Sequence, residues 1–172
     1  PGYTSANGVA VSGGYEYVAA GDSGLVVVDV NDPTQPVQVA SISGLATTGF
    51  ALGVAISGTN AYVAHGAVSG YKGLAKYNIS DPVHPVFIDD AGTAAICQRV
   101  EVSGDYAYVA NDSGGLAIVY IGTNMLSIQE HTPYATGGTA YGVAISGKYA
   151  ALAAGTSGLT IIDISNPSAI PI

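Results

Sequence analysis

The side chains that could act as bases, nucleophiles or metal ligands are few in this sequence and far apart. Three histidines, His65, His84 and His131, fall in three different segments, and Cys97 is the only cysteine. A catalytic serine needs a base and an orienting acid within hydrogen-bond reach, and no Gly-x-Ser-x-Gly turn is present to carry one. We therefore expect no enzymatic activity, no catalytic residue and no cofactor.

Paired carboxylates at Asp89-Asp90 are the nearest approach to a metal site. Calcium loops place several Asp or Asn oxygens at regular spacing, which is not the pattern around this pair. Adjacent residues of a strand also point to opposite faces of the sheet, so we interpret the pair as a solvated strand end and expect no metal. Cys97 is interpreted as a small buried hydrophobe.

The overall charge restricts the class of partner. The chain has 172 residues, a net charge of −8 and only four lysines and arginines, so phosphate backbones would be repelled. No run approaches the roughly 20 apolar residues of a membrane-spanning helix. We expect neither nucleic-acid binding nor membrane insertion. Only 9% of residues are charged, and a surface so poor in charge suits burial against other protein.

The elements that position these side chains come from an internal repeat. One motif begins at Gly8 and reads Gly-Val-Ala-Val-Ser-Gly, and its relatives begin 43 to 46 residues apart at Gly53, Arg99 and Gly142. A Gly-Leu motif recurs in step, at Gly24, Gly73, Gly115 and Gly158. We place the four units at about residues 1–45, 46–91, 92–134 and 135–172, and treat them as a single domain.

Each unit reads as four short strands, A to D, separated by Gly-rich or Pro-containing turns about ten residues apart. In the first unit we predict strand A at 8–11, B at 15–19, C at 25–30 and D at 37–42. A four-stranded unit repeated at this period is typical of a β-propeller blade, so the fold class is all-β. Tyr17, Tyr62 and Tyr108 should occupy equivalent positions in three blades, with Ala151 in the fourth.

The strand C segments starting at Gly24 (GLVVVDVNDP) and Gly158 (GLTIIDISNP) resemble the LVIVD repeat family. The second unit departs from this pattern at Lys76-Tyr77-Asn78, and in the third Gly122-Thr123-Asn124 replaces the Asp-Pro turn. The resemblance implies a propeller found in secreted or cell-surface proteins of bacteria and archaea. It brings no catalytic residue.

Variable loops on a rigid scaffold commonly carry binding function, and the D-to-A and B-to-C loops, which leave one face of a propeller, are the longer ones here. We predict an interaction face from their side chains. Two Asn-x-Ser tripeptides, at Asn78 and Asn111, match the N-glycosylation acceptor pattern. The predicted contact residues are Phe50, His65, Tyr71, Lys72, Arg99 and Tyr134.

These observations favour a non-enzymatic extracellular module with a structural or protein-interaction role. A subunit of a surface layer or filament is the more specific form of this expectation. The partner would be copies of itself or other repeats of a parent chain. An alternative is a propeller that binds a ligand or carbohydrate, or acts as an enzyme, in its axial channel or on the loop face. Arg99 and Glu101 are the only charged residues predicted to face that channel. We also expect the fourth unit to lack strand D, so that further repeats or a neighbouring subunit would complete it.

Overall fold

A computed structural model describes residues 5–43, 49–66, 71–129 and 134–168. This part of the chain contains fifteen strands, one 3₁₀ turn at Gly155–Ser157 and no α-helix. The predicted all-β class is confirmed. In the first unit the structure matches the predicted strands closely. The strands end at the Gly-rich and Pro-containing turns from which their bounds were predicted. The strands are β1 (Gly8–Ser12), β2 (Tyr15–Ala19), β3 (Leu25–Asp29), β4 (Val37–Ile42), β5 (Phe50–Ser57), β6 (Asn60–Gly66), β7 (Gly73–Asn78), β8 (Val86–Gly92), β9 (Arg99–Ser103), β10 (Tyr106–Ala110), β11 (Leu116–Tyr120), β12 (Ser127–Ile128), β13 (Gly142–Ser146), β14 (Tyr149–Ala153) and β15 (Leu159–Asp163).

Each unit folds into an antiparallel meander, which we call blades 1 to 4. Blade 1 is β1-β2-β3-β4, blade 2 is β5-β6-β7-β8 and blade 3 is β9-β10-β11-β12. Blade 4 is β13-β14-β15, so within the described residues it has no fourth strand, and 169–172 lie outside them. The inner strands pack in sequence, β1 on β5, β5 on β9 and β9 on β13, which is a propeller-like arrangement.

Tight Ser-Gly turns join the first two strands of every blade. The turn glycines Gly13, Gly58, Gly104 and Gly147 all have φ between 55° and 59°. This left-handed backbone region is open to glycine and costly for residues with a Cβ. The turns therefore require glycine, and they fix the register in which the first two strands pair.

The core lies between blades, because side chains alternate between the two faces of each sheet. We call the face turned toward the next blade the trailing face and the opposite one the leading face. The trailing face of blade 1 buries Tyr17, Leu25 and Val27, and it meets Val54 and Tyr77 on the leading face of blade 2. Blades 2 and 3 form a second such cluster and blades 3 and 4 a third.

The predicted equivalence of the three tyrosines is confirmed. Tyr17, Tyr62 and Tyr108 lie at equivalent places in β2, β6 and β10, opposite Ala10, Ala55 and Glu101 of the inner strands. Each is 2% to 3% exposed. One tyrosine therefore seals each of the three interfaces between blades.

Candidate functional site

A buried pair of His65 and Asp90 is the main polar cluster on the loop face. His65 lies near the end of β6 and Asp90 lies in β8, with β7 between them. Gly73 of β7 pairs with His65 and has no side chain, and a Cβ there would lie 2.8 Å from Asp90 Oδ1. The space left by this glycine lets Asp90 Oδ2 approach His65 Nε2 to 2.9 Å across the strand.

Tyr71 covers this pair from outside. The Tyr71 ring stacks on His65, with 6.0 Å between the ring centroids. Tyr71 itself is 41% exposed to solvent. The negative charge of Asp90 raises the pKa of the Tyr71 hydroxyl. His65 itself is fully buried, which corrects the prediction that it is a surface contact. Asp90 is 5% exposed, so it is not part of a solvated strand end.

Both members of the pair also keep a free polar atom. His65 Nδ1 and Asp90 Oδ1 are buried and have no hydrogen-bond partner among the described residues. A His-Asp pair can orient a catalytic base, but a nucleophile must then lie beside the histidine. Cys97 lies close to His65, since the Cys97 backbone N–H donates a hydrogen bond to the His65 carbonyl. The Cys97 thiol instead contacts Thr93 and Asn111.

The Cys97 thiol is in an environment that lowers its reactivity. It is fully buried, and burial raises the pKa of its thiol to about 12, so the reactive thiolate is scarce at neutral pH. The interpretation of Cys97 as a buried hydrophobe is confirmed. In the described residues no group of three or more His, Cys, Asp or Glu is placed to hold a metal ion.

The remaining predicted contact residues are Arg99, Tyr134, Phe50 and Lys72. Arg99 donates through Nη1 to the carbonyls of Leu52 and Gln98, at 2.7 and 2.8 Å, which ties blade 3 to blade 2. Tyr134 is half-buried and pairs through its backbone with Leu116. Phe50 and Lys72 are also half-buried, and Phe50 lies opposite Gly66.

The two glycosylation tripeptides have different environments. Asn111 is 1% exposed, so the structure corrects the prediction for this site: the amide is out of reach of a modifying enzyme in the folded chain. Asn78 is half-buried at the end of β7, where its Oδ1 accepts a hydrogen bond from Ser80 N. Asp29 and Asp163 make the same bond two residues ahead in blades 1 and 4, so Asn78 has the same structural role.

Sequence reasoning missed a buried lysine between blades 2 and 3. Lys76 is 3% exposed, and its Nζ donates to the Thr123 carbonyl of blade 3 at 2.6 Å. Asp89 lies opposite it in the sheet and accepts a hydrogen bond from Leu126 N, also in blade 3. Desolvation lowers the pKa of Lys76, while the Asp89 charge opposes that change.

The signal for this contact was present in the sequence as two departures from the repeat. Lys76 replaces the aliphatic residue of the other blades, and the Gly122-Thr123-Asn124 turn replaces the Asp-Pro turn. The two departures contact each other, so they are one feature. It distinguishes the interface between blades 2 and 3 from the other two.

Large apolar side chains lie bare at the two ends of the row of blades. On the trailing face of blade 4, Leu159 is 70% exposed and Ile161 is 56% exposed. On the leading face of blade 1 the exposure is confined to the inner strand, where Val9 is 60% and Val11 is 66% exposed, whereas Val18, Val26 and Val28 of the same face are buried. Adjacent exposed apolar residues of this kind mark sites of protein interaction.

A shallow groove on the loop face, between blades 3 and 4, gives little support to the alternative of ligand binding. Its volume is about 300 Å³, and its lining has neither a charged nor an aromatic side chain among the described residues. A sugar or charged ligand is usually held by such groups, placed in an otherwise apolar pocket. The lining residues are Ser113, Ala135, Gly137, Gly138 and Thr139.

Two comparisons identify the fold and the family, and a third finds nothing. No curated protein matches the chain. The computationally designed Ika8 protein superposes with a TM-score of 0.67 at 14% identity, over 95% of this chain and 47% of that one. The designed Ika4 protein gives 0.71 at 11% identity, over 96% and 94%. The chain thus spans about half the length of Ika8, and these likenesses show a propeller-like fold.

Among the described residues, no helix is long and apolar enough to cross a membrane. The model of the LVIVD repeat matches four times, at residues 3–43, 48–93, 94–136 and 137–171. These matches cover almost the whole sequence, and each contains one of the blades. The chain therefore belongs to the LVIVD repeat family.

Proposed function

We propose that this propeller-type repeat module is a non-enzymatic protein-interaction module with a structural role. The observation that carries the proposal is the bare apolar face of blade 4, where Leu159 is 70% exposed and Ile161 is 56% exposed. The positions of Leu159 and Ile161 correspond to Leu25 and Val27 of blade 1, both of which are fully buried under blade 2. A surface built like a blade interface has the chemistry to bind protein.

The polar groups of the loop face favour a structural role over catalysis. The His65 and Asp90 pair lies beneath the Tyr71 ring, and within the described residues no hydroxyl or thiol is hydrogen-bonded to the free His65 Nδ1. Arg99 is occupied by two carbonyl groups. Such hydrogen bonds hold loops in place, which suits a scaffold better than a reaction centre.

An extracellular or cell-surface location fits the composition. Only 9% of the residues are charged, and the polar surface is supplied largely by uncharged residues such as serine, threonine and tyrosine. This low charge lowers the desolvation cost of packing against other subunits, since interface cores are themselves depleted of charged residues. A subunit of a surface layer or filament is the specific form of this proposal.

Site-specific photo-crosslinking in the producing cell tests the proposal. A photoreactive amino acid replaces Leu159 on the bare face, and in a control it replaces Val86, which is 57% exposed on blade 2. We expect a covalent adduct with a protein at position 159 and much less at position 86. Mass spectrometry then identifies the partner. Equal labelling at both positions, or no protein adduct at 159, would overturn the proposal.

A further inference from the structure

The third strand of blade 4, β15, has one row of backbone groups with no partner in the described part of the chain. Backbone groups of an antiparallel pair alternate in direction along the strand. Ile164 N–H points to β14, where it donates to the Lys148 carbonyl. The backbone groups of Leu159, Ile161 and Asp163 therefore point to the other side of β15, where no strand lies within the described residues. This side is an open strand edge, which can pair with an added strand.

The same row of backbone groups is paired in the other three blades. In blades 1 and 2, the outer strands β4 and β8 pair along the whole of β3 and β7. In blade 3, Leu116, at the position of Leu159, exchanges two backbone hydrogen bonds with Tyr134, of 2.7 and 3.0 Å. The occupant of this position in each of these blades is an extended segment antiparallel to the third strand.

The glycine that precedes the third strand shows the same difference in space. A Cβ on the glycine of blades 1, 2 and 3 would collide with a carbonyl oxygen of the outer segment, whereas a Cβ on Gly158 would have nothing within 4 Å. Gly158 has a φ of 74°, so its turn requires glycine in any case, and the empty space beside it is the informative observation. The volume that backbone fills in three blades is thus open in blade 4. The colliding pairs are Gly24 with Ile42, Gly73 with Ala91, and Gly115 with Tyr134.

The side chains beside this open edge are apolar. Leu159 is 70% exposed and Ile161 is 56% exposed on the trailing face of blade 4. In blade 1, Ile42 and Ala40 of β4 lie opposite the equivalent residues and pack against the core cluster. A strand with aliphatic or small residues at these two positions would cover part of the exposed apolar surface of blade 4 in the same way.

We propose that the open edge of β15 binds an extended segment of a partner protein, which adds to blade 4 as its fourth strand. The proposal rests on the proposed function and specifies the chemistry of the partner. The segment runs antiparallel to β15 and has aliphatic or small residues opposite Leu159 and Ile161. Main-chain hydrogen bonds supply the affinity of such strand addition, and the side chains at alternate positions supply its selectivity.

The register of the bound segment follows from β4 and β8. In both outer strands the pairing shifts by one residue at the same place, just after Val27 in blade 1 and just after Lys76 in blade 2. We expect the same bulge beside the residue opposite Ile161. Ile161 corresponds to Val27, which lies opposite Ala40, and to Lys76, which lies opposite Asp89. The residue opposite position 161 is therefore the one that should decide selectivity.

Peptide binding to the full chain tests the proposal. The probe is a labelled peptide with the sequence of residues 36–43, which contains β4, and the matched control is the same peptide with Ala40→Asp. Fluorescence anisotropy should show saturable binding of the probe and weaker binding of the control, by up to about fivefold, since the carboxylate would lie against Ile161. No saturable binding of the probe up to about 1 mM overturns the proposal.

A charge exchange tests the register. Ile161→Lys recreates the pairing of Lys76 with Asp89 when the control peptide binds. The variant chain should therefore reverse the preference and bind the Ala40→Asp peptide more tightly than the probe. An unchanged order of affinities overturns the proposed register.

Two substitutions at one position separate the backbone from the side chain. Ile161→Pro removes an N–H that points away from β14, so an edge strand tolerates the change, and circular dichroism verifies the fold. It should weaken binding of the probe roughly tenfold, because one main-chain hydrogen bond is lost. Ile161→Ala keeps the N–H and should lose less affinity. Equal losses for the two variants overturn strand addition.

Amide hydrogen exchange, followed by NMR, locates the bound peptide. In the free chain the Leu159 and Ile161 amides should exchange rapidly, and the Ile162 amide, which faces β14, should exchange slowly. The probe should slow exchange at Leu159 and Ile161 and leave Ile162 unchanged. Slowing at the outer strands β4 or β8 instead would place the peptide elsewhere and overturn the proposal.

Crosslinking at residue 159 distinguishes failure of this proposal from failure of the proposed function. If the probe does not bind but residue 159 crosslinks to a protein in the cell, the interaction role stands and the extended segment is the wrong occupant. If neither occurs, both proposals are wrong. A mass of twice 17.1 kDa, with slow exchange at Leu159 in the absence of peptide, would show that the edge pairs with a second copy and would also overturn the proposal.

Discussion

The same sheet face is buried in blade 1 and bare in blade 4. Leu25 and Val27 are fully buried, whereas Leu159 and Ile161, at the same positions, are 70% and 56% exposed. The backbone pairing is alike, since β2-β3 and β14-β15 have equivalent registers. The pairing within a blade therefore does not depend on the neighbouring blade. The apolar contact between blades adds to the stability of the chain beyond that of the separate blades. The exposed face of blade 4 has the apolar side chains for such a contact with a partner.

Truncating the same leucine in both blades should give the largest contrast. Leu25→Ala should lower the free energy of unfolding by about 2–5 kcal/mol, because it opens a cavity between blades 1 and 2. Leu159→Ala should change it by no more than about 0.5 kcal/mol in dilute solution, since that side chain is already in water. Urea unfolding at low protein concentration measures both.

The free energies of unfolding of the two leucine variants should also depend differently on protein concentration. If blade 4 associates with a second copy, the stability of the unmodified chain rises with concentration, and Leu159→Ala reduces that rise. Leu25→Ala should keep its full cost at every concentration. Equal costs for the two leucines in dilute solution would contradict the assignment of the blade 4 face as solvent-exposed.

The polar interface between blades 2 and 3 should give the next largest effect. Asp89→Ala should cost about 1.5–3 kcal/mol, because the Leu126 N–H loses a charged acceptor and Lys76 loses a nearby negative charge. In blade 1 the residues at the Lys76 and Asp89 positions are Val27 and Ala40. Lys76→Val combined with Asp89→Ala recreates that pair.

The double variant is the control for Asp89→Ala. It should be more stable than Asp89→Ala alone, because no lysine is then buried without its carboxylate. Chemical denaturation of the three proteins measures the coupling between the two positions. Strictly additive costs would show that Lys76 and Asp89 act independently.

Local signals predicted the blades well, while contacts between strands and blades escaped them. The Ser-Gly turns and the Pro breaks gave the strand bounds, since they act within a few residues. His65 and Asp90 are 25 residues apart and meet only because Gly73 leaves space across β7. The interpretation of Asp89 and Asp90 as solvated was wrong for a related reason: the sequence does not show what covers an outer strand.

The buried tyrosines of blades 1 to 3 should make the chain sensitive to alkali. Burial raises the pKa of Tyr17, Tyr62 and Tyr108 above the value of about 10 in the unfolded chain. Their contribution to stability is complete below pH 10 and is lost as the pH rises through the folded values. Each adds a slope of up to about 1.4 kcal/mol per pH unit in that window. Blade 4, with Ala151, has no such group.

Tyr108→Phe isolates one of these contributions. The variant should lose less stability than the unmodified chain between pH 8 and pH 11, as measured by urea unfolding at each pH. Tyr149→Phe is the control, since that ring is 44% exposed on blade 4 and should leave the alkaline profile unchanged. An identical profile for Tyr108→Phe would contradict the burial of its hydroxyl.

The smallest effect should come from the glycine pair Gly53 and Gly142, and its sign should differ between the blades. Gly53→Ala should destabilise the chain, because its Cβ would be 3.0 Å from the Cα of Arg99 and 3.1 Å from the Gln98 carbonyl. Gly142→Ala should instead stabilise the isolated chain by about 0.5–1 kcal/mol, since alanine loses less conformational freedom than glycine in a strand. Denaturation in dilute solution measures both.

A Gly142→Ala chain that is less stable than the unmodified one, or a Gly53→Ala chain that is equally stable, would contradict this difference in crowding between the two positions.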